Sequence, residues 1–202
     1  MTSHSQSGQD RFVDAILDGN RDGLFLDVGA NHPVEISNTY ELESELGWRG
    51  VLVDRDAYCA DLCAKQRKNP FLLLDGLTAD WEIVLGLVVR QFEGAPRTAI
   101  DYLSLDCDEN TATILERILA ASGPRFRVMT VETDLYSRGP LPRDRIRRML
   151  AGNGYDILCR DVRASDGSIY EEWVVDPNLV DMARAERFRS YGLKWEEIMA
   201  KI

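Results

Sequence analysis

The chain has 202 residues, and its hydrophobic share of 45% and charged share of 29% are typical of one soluble globular domain. We therefore predict a single domain over 1–202. The 24 Lys and Arg against 34 Asp and Glu give a formal net charge of −10, which repels nucleic acid. No apolar run is long enough for a membrane span, so neither nucleic acid nor a membrane is expected as a partner.

The number and spacing of the cysteines indicate the cellular compartment of the protein. There are four, Cys59, Cys63, Cys107 and Cys159, and no two of them form a CxxC pair. The first residues also lack the basic segment and apolar core of a secretory leader. Free thiols and no leader predict a cytoplasmic protein.

Apolar runs that end in Gly, Pro or acidic residues alternate with amphipathic segments along the chain. The predicted strands are 24–28, 51–53, 71–74, 102–105, 126–131, 155–159 and 170–175, and the predicted helices are 12–17, 40–46, 57–68, 81–92, 110–121 and 142–152. This alternation predicts an α/β fold with a mostly parallel seven-stranded sheet and helices on both faces. The last two strands flank Ser165-Asp166-Gly167, which predicts a C-terminal antiparallel hairpin.

A polar tail, 178–202, follows Pro177 and is predicted to be helical over 178–201. Its apolar residues are Tyr191, Leu193, Trp195, Ile198 and Met199. We expect this face to pack on the core, and a homodimer contact is the alternative.

The stretch 24–31 organises the chain. Three apolar residues lead into Asp27, and Gly29, Ala30 and Asn31 follow. This pattern predicts a buried parallel strand that ends in a tight turn, where a ligand can approach the backbone in an open α/β sheet. We therefore take Asp27, Gly29, Ala30 and Asn31 as candidate ligand-binding residues.

Acidic residues recur at the ends of the predicted strands. They are Asp27, Asp54, Asp75, Asp106 and Glu132. If the strands are parallel, all five lie on one rim of the sheet, where crowded negative charge favours an occupant that is cationic or rich in hydrogen-bond donors. The alternative is that these are ordinary polar loop starts.

Asp54 closes the second strand, where an acid can accept hydrogen bonds from both hydroxyls of a ribose. After Gly29, however, the chain lacks the second and third glycines of the dinucleotide fingerprint, so a pyrophosphate would not be held closely. A ribose-bearing cofactor without pyrophosphate fits better, and S-adenosylmethionine is one. A nicotinamide-dependent oxidoreductase is the disfavoured alternative.

Several stretches carry a family resemblance. They are Ser5-Gln6-Ser7-Gly8-Gln9-Asp10, Gly23-Leu24-Phe25-Leu26-Asp27-Val28-Gly29-Ala30-Asn31, Ser37-Asn38-Thr39-Tyr40, Gly47-Trp48-Arg49-Gly50-Val51-Leu52-Val53, Asp101-Tyr102-Leu103-Ser104-Leu105-Asp106, and Thr130-Val131-Glu132 with Gly154-Tyr155. On these residues the chain resembles, over 5–175, the FkbM-type S-adenosylmethionine-dependent methyltransferases. It departs from them at Asp54, where the family usually has Glu, and at 106–110, where the family's Asp-Val-Glu-Gly is replaced by Asp-Cys-Asp-Glu followed by Asn.

The resemblance implies the class I methyltransferase (Rossmann-like) fold, with S-adenosylmethionine as cofactor. It implies that Asp27, Gly29 and Asn31 line the methionine end of the cofactor, that Asp54 holds the ribose and that Asp75 lies near the adenine. It also implies methylation of a hydroxyl oxygen on a sugar or another small natural product.

A hydroxyl acceptor needs a base, and His32 and Asp106 are the candidates. Alternatively, Asp106 holds a divalent metal such as Mg²⁺, together with Glu109 or Glu132, that acidifies the acceptor. Three residues of the loop after the first strand could contact the acceptor or cover the cofactor: Ser37, Asn38 and Tyr40. Because 106–110 is altered, a non-catalytic module that keeps the fold is the alternative function.

Overall fold

A computed structural model describes residues 4–91 and 98–202. The strands are β1 (Leu24–Val28), β2 (Arg49–Asp54), β3 (Phe71–Leu73), β4 (Ala99–Leu105), β5 (Arg125–Glu132), β6 (Asp156–Arg163), β7 (Ile169–Val175) and β8 (Ser190–Tyr191). The helices are α1 (Gln9–Ile16), α2 (Tyr40–Ser44), α3 (Ala57–Gln66), α4 (Trp81–Arg90), α5 (Thr111–Ala120), α6 (Leu135–Arg138), α7 (Pro140–Gly152), α8 (Met182–Ala185) and α9 (Trp195–Met199). The predicted helix 81–92 ends at Arg90, and its residue 92 lies outside the described residues.

In the described part of the chain, eight strands form one sheet in the order β3-β2-β1-β4-β5-β7-β6-β8. The strands β3, β2, β1, β4 and β5 are parallel, so their carboxyl ends share one rim. β7 pairs antiparallel with both β5 and β6. This confirms the α/β fold, the mostly parallel sheet and the C-terminal hairpin, and adds β8 at the edge.

Helices cover both faces of the sheet because residues of the buried strands alternate between two hydrophobic layers. In β1, Leu24, Leu26 and Val28 pack with α4, α5 and α7. Phe25 points to the opposite layer, which contains residues of α1, α3 and α9. Asp27 shares the face of Phe25, and this places a carboxylate inside the second layer.

The prediction of a helical tail over 178–201 is wrong. The segment forms two short helices, α8 and α9, with β8 between them. Ser190 and Tyr191 pair with Cys159 and Arg160 of β6, so hydrogen bonding at the sheet edge overrides local helical preference. Ile198 and Met199 are buried in the core, which confirms the packing of the tail for these two residues.

The four cysteines are free thiols, as predicted. No helix in residues 4–91 and 98–202 has both the length and the apolar character that crossing a membrane requires.

Candidate functional site

A cleft of about 320 Å³ lies at the carboxyl ends of β1, β2, β3 and β4. This volume is at the lower end of the range of roughly 300–1,000 Å³ for small-molecule sites. Six of the predicted site residues line it: Asp27, Gly29, Ala30, Asn31, Asp54 and Asp75, together with Asp106 as the candidate base. The parallel rim therefore brings together residues that are up to 79 positions apart in the sequence, since 106 − 27 = 79.

The turn after β1 depends on Gly29. Its φ of +81° is in the left-handed region, and a Cβ here would lie 1.6 Å from the backbone oxygen of Asp106. The amides of Gly29 and Ala30 both donate to the Val53 carbonyl, at 2.9 and 3.2 Å. Gly29 is therefore needed for the close approach of the β1 and β4 loops.

Asn31 and Asp54 are linked at the end of β2. The Asn31 amide donates to Asp54 Oδ2 at 2.9 Å, and the Asp56 amide donates to Asp54 Oδ1 at 3.0 Å. Each carboxylate oxygen can accept more than one hydrogen bond, so Asp54 keeps capacity for a ligand. These two amides fix the orientation in which Asp54 faces the cleft.

Asp27 is almost fully buried, and burial raises the pKa of its carboxyl. The Thr39 hydroxyl donates to its Oδ2 at 2.6 Å. Hydrogen bonds from Thr39 and Ser104 and the positive charge of Arg67 act in the opposite direction and favour the ionised form. The negative charge of the buried Asp27 is thus partly balanced by these hydrogen bonds and by Arg67.

Asp75 lies two residues beyond β3, and its Oδ1 accepts the Leu77 amide at 2.9 Å. It is exposed and lines the β3 end of the cleft with Leu74 and Ile114. An apolar wall beside an exposed acid at this end suits a flat, partly polar ring.

At the β4–β5 side, Asp106, Asp108 and Glu132 each offer a carboxylate oxygen, and these oxygens lie within 4.8 Å of one another. Glu132 is 6% exposed, and its Oε2 has no hydrogen-bond partner among the described residues. Burial and the nearby Asp106 raise the pKa of Glu132 to about 10. Such a set of hard oxygen ligands suits Mg²⁺.

The predicted metal partner Glu109 is not part of this group, since it forms an ion pair with Arg138 at 3.2 Å. Asp108 takes its place, a residue that the sequence did not indicate. Asp108 adopts φ +49°, a left-handed conformation that Asp tolerates better than most residues. The turn is therefore made without a glycine.

His32 is not among the residues that line the cleft in the described ranges. Its Nδ1 accepts the amides of Val34 and Glu35, at 3.3 and 2.9 Å. A neutral imidazole that accepts at Nδ1 carries its proton on Nε2, so no basic nitrogen is left free. The geometry therefore favours Asp106 over His32 as the base.

The loop 32–39 contributes to the cleft through Ile36 and Asn38. Asn38 Nδ2 donates to Ser104 Oγ at 3.1 Å, and its Oδ1 is buried without a partner among the described residues. Ser37 and Tyr40 contact Arg67 instead of lining the cleft. Of the three loop residues singled out in the sequence, Asn38 alone lines the cleft in the described part of the chain.

Comparison with known proteins identifies the fold. No protein-family model matches the chain, and no curated protein matches it. Among solved structures, the chain is similar to an O-methyltransferase from Bacillus cereus in complex with SAH, with 17% identity, 87% of this chain and 84% of that chain covered, and a TM-score of 0.54. A putative rRNA-methylase from Clostridium thermocellum is 11% identical over 87% of this chain and 97% of that chain, with a TM-score of 0.52.

The chain therefore has the class I methyltransferase fold. Because the sequence identities are only 17% and 11%, the similarity to these structures establishes the fold and no more specific function. The FkbM-type resemblance stays a prediction.

Proposed function

We propose that the chain is an S-adenosylmethionine-dependent methyltransferase that methylates a hydroxyl oxygen of a small-molecule or carbohydrate acceptor. One observation carries this proposal. The three amides that follow β1, those of Gly29, Ala30 and Asn31, are all engaged, two by the Val53 carbonyl and one by Asp54. A dinucleotide site needs such amides for its pyrophosphate, so a ribose-bearing cofactor without pyrophosphate fits this cleft better than NAD.

The polar groups of the cleft match the ends of S-adenosylmethionine. Asp54 and Asp75, on the β2–β3 side, suit a ribose and an adenine. Asp27 and the unpartnered Asn38 Oδ1, on the β1–β4 side, require hydrogen-bond donors, which the cofactor's ammonium group has. The Bacillus cereus structure is a complex with SAH on the same fold, which supports this assignment.

When bound, the cofactor would supply a methyl group on a sulfonium; an acceptor oxygen would attack the methyl carbon, and the neutral thioether of the demethylated cofactor would leave. The bond that forms is O–CH₃, the bond that breaks is S–CH₃, and the acceptor's proton needs a receiver. Asp106, next to the end of β4 and between the cleft and Glu132, is the group that we assign to take this proton. Asp108 and Glu132 complete a donor set for a divalent cation that would lower the pKa of the acceptor hydroxyl.

The test is a transfer assay with purified protein, S-adenosylmethionine and a panel of hydroxylated sugars and small phenolic or aliphatic acceptors. Each acceptor is assayed with Mg²⁺ and with EDTA, and the demethylated cofactor is quantified by mass spectrometry. Asp106→Asn is the matched control, because it keeps the size of the side chain and removes its basicity. We expect turnover with at least one acceptor and its loss in Asp106→Asn.

The outcomes separate the alternatives. Turnover in Mg²⁺ but not in EDTA supports the cation site, and equal turnover in both supports Asp106 acting alone. Tight cofactor binding without turnover of any acceptor points to a non-catalytic module. Reduction or oxidation of a nicotinamide cofactor would contradict the proposal.

A further inference from the structure

Arg67 is buried directly after α3, with 0% of its side chain exposed. A buried guanidinium is tolerated only when its N–H groups are paired. Its Nε donates to Glu43 Oε2 at 2.8 Å, its Nη1 to the Pro33 carbonyl at 3.1 Å and to Ser37 Oγ at 3.2 Å, and its Nη2 to Thr39 Oγ1 at 3.1 Å. Arg67 therefore ties the loop 32–39 and α2 to the end of α3.

Thr39 connects this arginine to the cleft. It is fully buried, and its hydroxyl accepts from Arg67 and donates to Asp27 Oδ2 at 2.6 Å. Since a guanidinium can only donate, the one hydroxyl proton of Thr39 is directed to Asp27. The chain Arg67–Thr39–Asp27 thus has one fixed direction of donation and holds the carboxylate in one orientation.

The charges of Arg67, Glu43 and Asp27 leave Asp27 able to bind a cationic group. Glu43 forms a direct ion pair with Arg67 at 2.8 Å, whereas Asp27 is linked to Arg67 by hydrogen bonds through the Thr39 hydroxyl. Two carboxylates share one guanidinium, so the group keeps one net negative charge, and Asp27 is the carboxylate that lines the cleft. A cationic ligand group at this position would complete the compensation.

We infer that Thr39 and Arg67 are positioning residues that act through Asp27 to set the affinity for the ammonium-bearing, amino-acid end of the cofactor. The inference rests on the proposed function. Asp54 and Asp75 lie on the β2–β3 side of the cleft, away from this chain of contacts. The amino-acid end and the adenosine end can therefore be tested separately.

Two ligands make this separation in calorimetric titrations of the full chain. S-adenosylhomocysteine has both ends, whereas 5′-methylthioadenosine has the adenosine and lacks the amino-acid group. In Thr39→Val, which removes the hydroxyl and keeps the shape, we expect S-adenosylhomocysteine to bind about threefold to tenfold more weakly, because the Asp27 side chain must then be ordered when the ligand binds. The affinity for 5′-methylthioadenosine should stay that of the wild type.

Thr39→Ser is the conservative variant, and it should restore the affinity for S-adenosylhomocysteine because it restores the donor. Arg67→Lys keeps the charge and loses the fork of donors, so it should weaken the same ligand selectively. If Arg67→Lys does not fold, because Glu43 is left poorly compensated, the two Thr39 variants decide the question. Selective weakening in Thr39→Val together with rescue in Thr39→Ser supports the inference.

Unchanged binding of S-adenosylhomocysteine in Thr39→Val would overturn the inference, and so would equal weakening of both ligands, which marks a general loosening of the cleft. Either result leaves the proposed function intact, because the wild type binds. A wild type that binds neither ligand would instead overturn the proposed function and this inference with it.

Discussion

Two buried carboxylates on the same rim, Asp27 and Glu132, are compensated in different ways. Asp27 is 3% exposed and receives the Thr39 hydroxyl, with Arg67 behind it. Glu132 is 6% exposed, and its Oε1 receives the Tyr136 hydroxyl at 3.1 Å, but its Oε2 has no partner among the described residues, and Asp106 and Asp108 lie beside it. On the β1 side, the protein itself supplies the hydrogen bond that orients Asp27. On the β4–β5 side, one oxygen of Glu132 remains available for a ligand.

This difference is consistent with two kinds of ligand. A pre-arranged carboxylate lowers the cost of binding a cofactor that is the same in every cycle. In the group of three acidic side chains on the other side, Glu132 keeps its proton, and a bound cation can replace that proton. Substitutions on one side of the rim should therefore leave the other side unchanged.

The largest effect is expected at the point where the two sides meet. Gly29→Ala would place a Cβ against the Asp106 carbonyl at a positive φ, so we expect a loss of roughly 3–5 kcal/mol in the free energy of unfolding. Urea unfolding measures it. Gly19→Ala is the matched control, since Gly19 also has a positive φ, of +67°, but a Cβ there meets nothing within 4 Å among the described residues. It should cost about 1–2 kcal/mol, and an equal cost at both positions would contradict the close approach at Gly29.

The next effect concerns cofactor affinity alone. Asp54→Ala should weaken S-adenosylmethionine by about a hundredfold or more, because two hydrogen bonds to a charged group are lost, and should leave stability nearly unchanged. Calorimetry and thermal unfolding measure the two quantities. Asp181→Ala, at the N-cap of α8, is the control that should cost about 0.5–2 kcal/mol of stability without changing affinity. Normal cofactor affinity in Asp54→Ala would contradict the assigned ribose site.

The β4–β5 side of the rim should affect how the stability of the protein depends on pH, through Glu132. The pKa of Glu132 is raised to about 10 in the folded protein, above its value of about 4.5 in the unfolded chain. The folded state then holds a proton that the unfolded state releases, so this group destabilises the protein as the pH rises from 4.5 towards 10. Glu132→Gln removes this contribution, and between pH 6 and 8 the wild type should lose roughly 2–3 kcal/mol relative to the variant, at about 1.4 kcal/mol per pH unit.

Urea unfolding of both proteins in EDTA at several pH values provides the comparison. All other titrating groups are shared by the two proteins and cancel in the difference. Parallel pH profiles would show that Glu132 is ionised and compensated in the folded state, contrary to the contrast with Asp27.

The smallest effect is expected at Tyr136, which is 57% exposed and donates to Glu132. Tyr136→Phe should cost less than about 1 kcal/mol of stability, because a half-exposed hydroxyl exchanges its bond with water. It should leave the affinity for S-adenosylhomocysteine unchanged, since Tyr136 belongs to the β5 side. A change in that affinity, measured by calorimetry, would show that the two sides are coupled.

The sequence was sufficient for the parallel strands, for the C-terminal hairpin and for most carboxylates of the rim. Apolar runs that end in an acid or a glycine predicted the ends of β1, β2 and β4, and parallel pairing then placed Asp27, Asp54 and Asp106 in one cleft. These features depend on local periodicity and on one topological rule, so they can be inferred without knowing any side-chain contact.

The contacts that tune the site could not be inferred. Arg67 reaches Thr39 from 28 positions away, since 67 − 39 = 28, and the spacing carries no periodic signal. Thr39 stands at the N-cap position of α2, but its hydroxyl donates to Asp27 and not to a helix amide. Likewise, β8 is only two residues long and forms because the edge of β6 is available, which no local pattern in 178–202 indicates.

The cleft is proposed to accept a ribose-bearing cofactor without a pyrophosphate, and calorimetric titration of the purified wild type with S-adenosylmethionine, S-adenosylhomocysteine and NAD is the first experiment to make. We expect micromolar binding of both sulfur compounds and no binding of NAD. Binding of NAD, or no binding of either sulfur compound, would contradict the proposal.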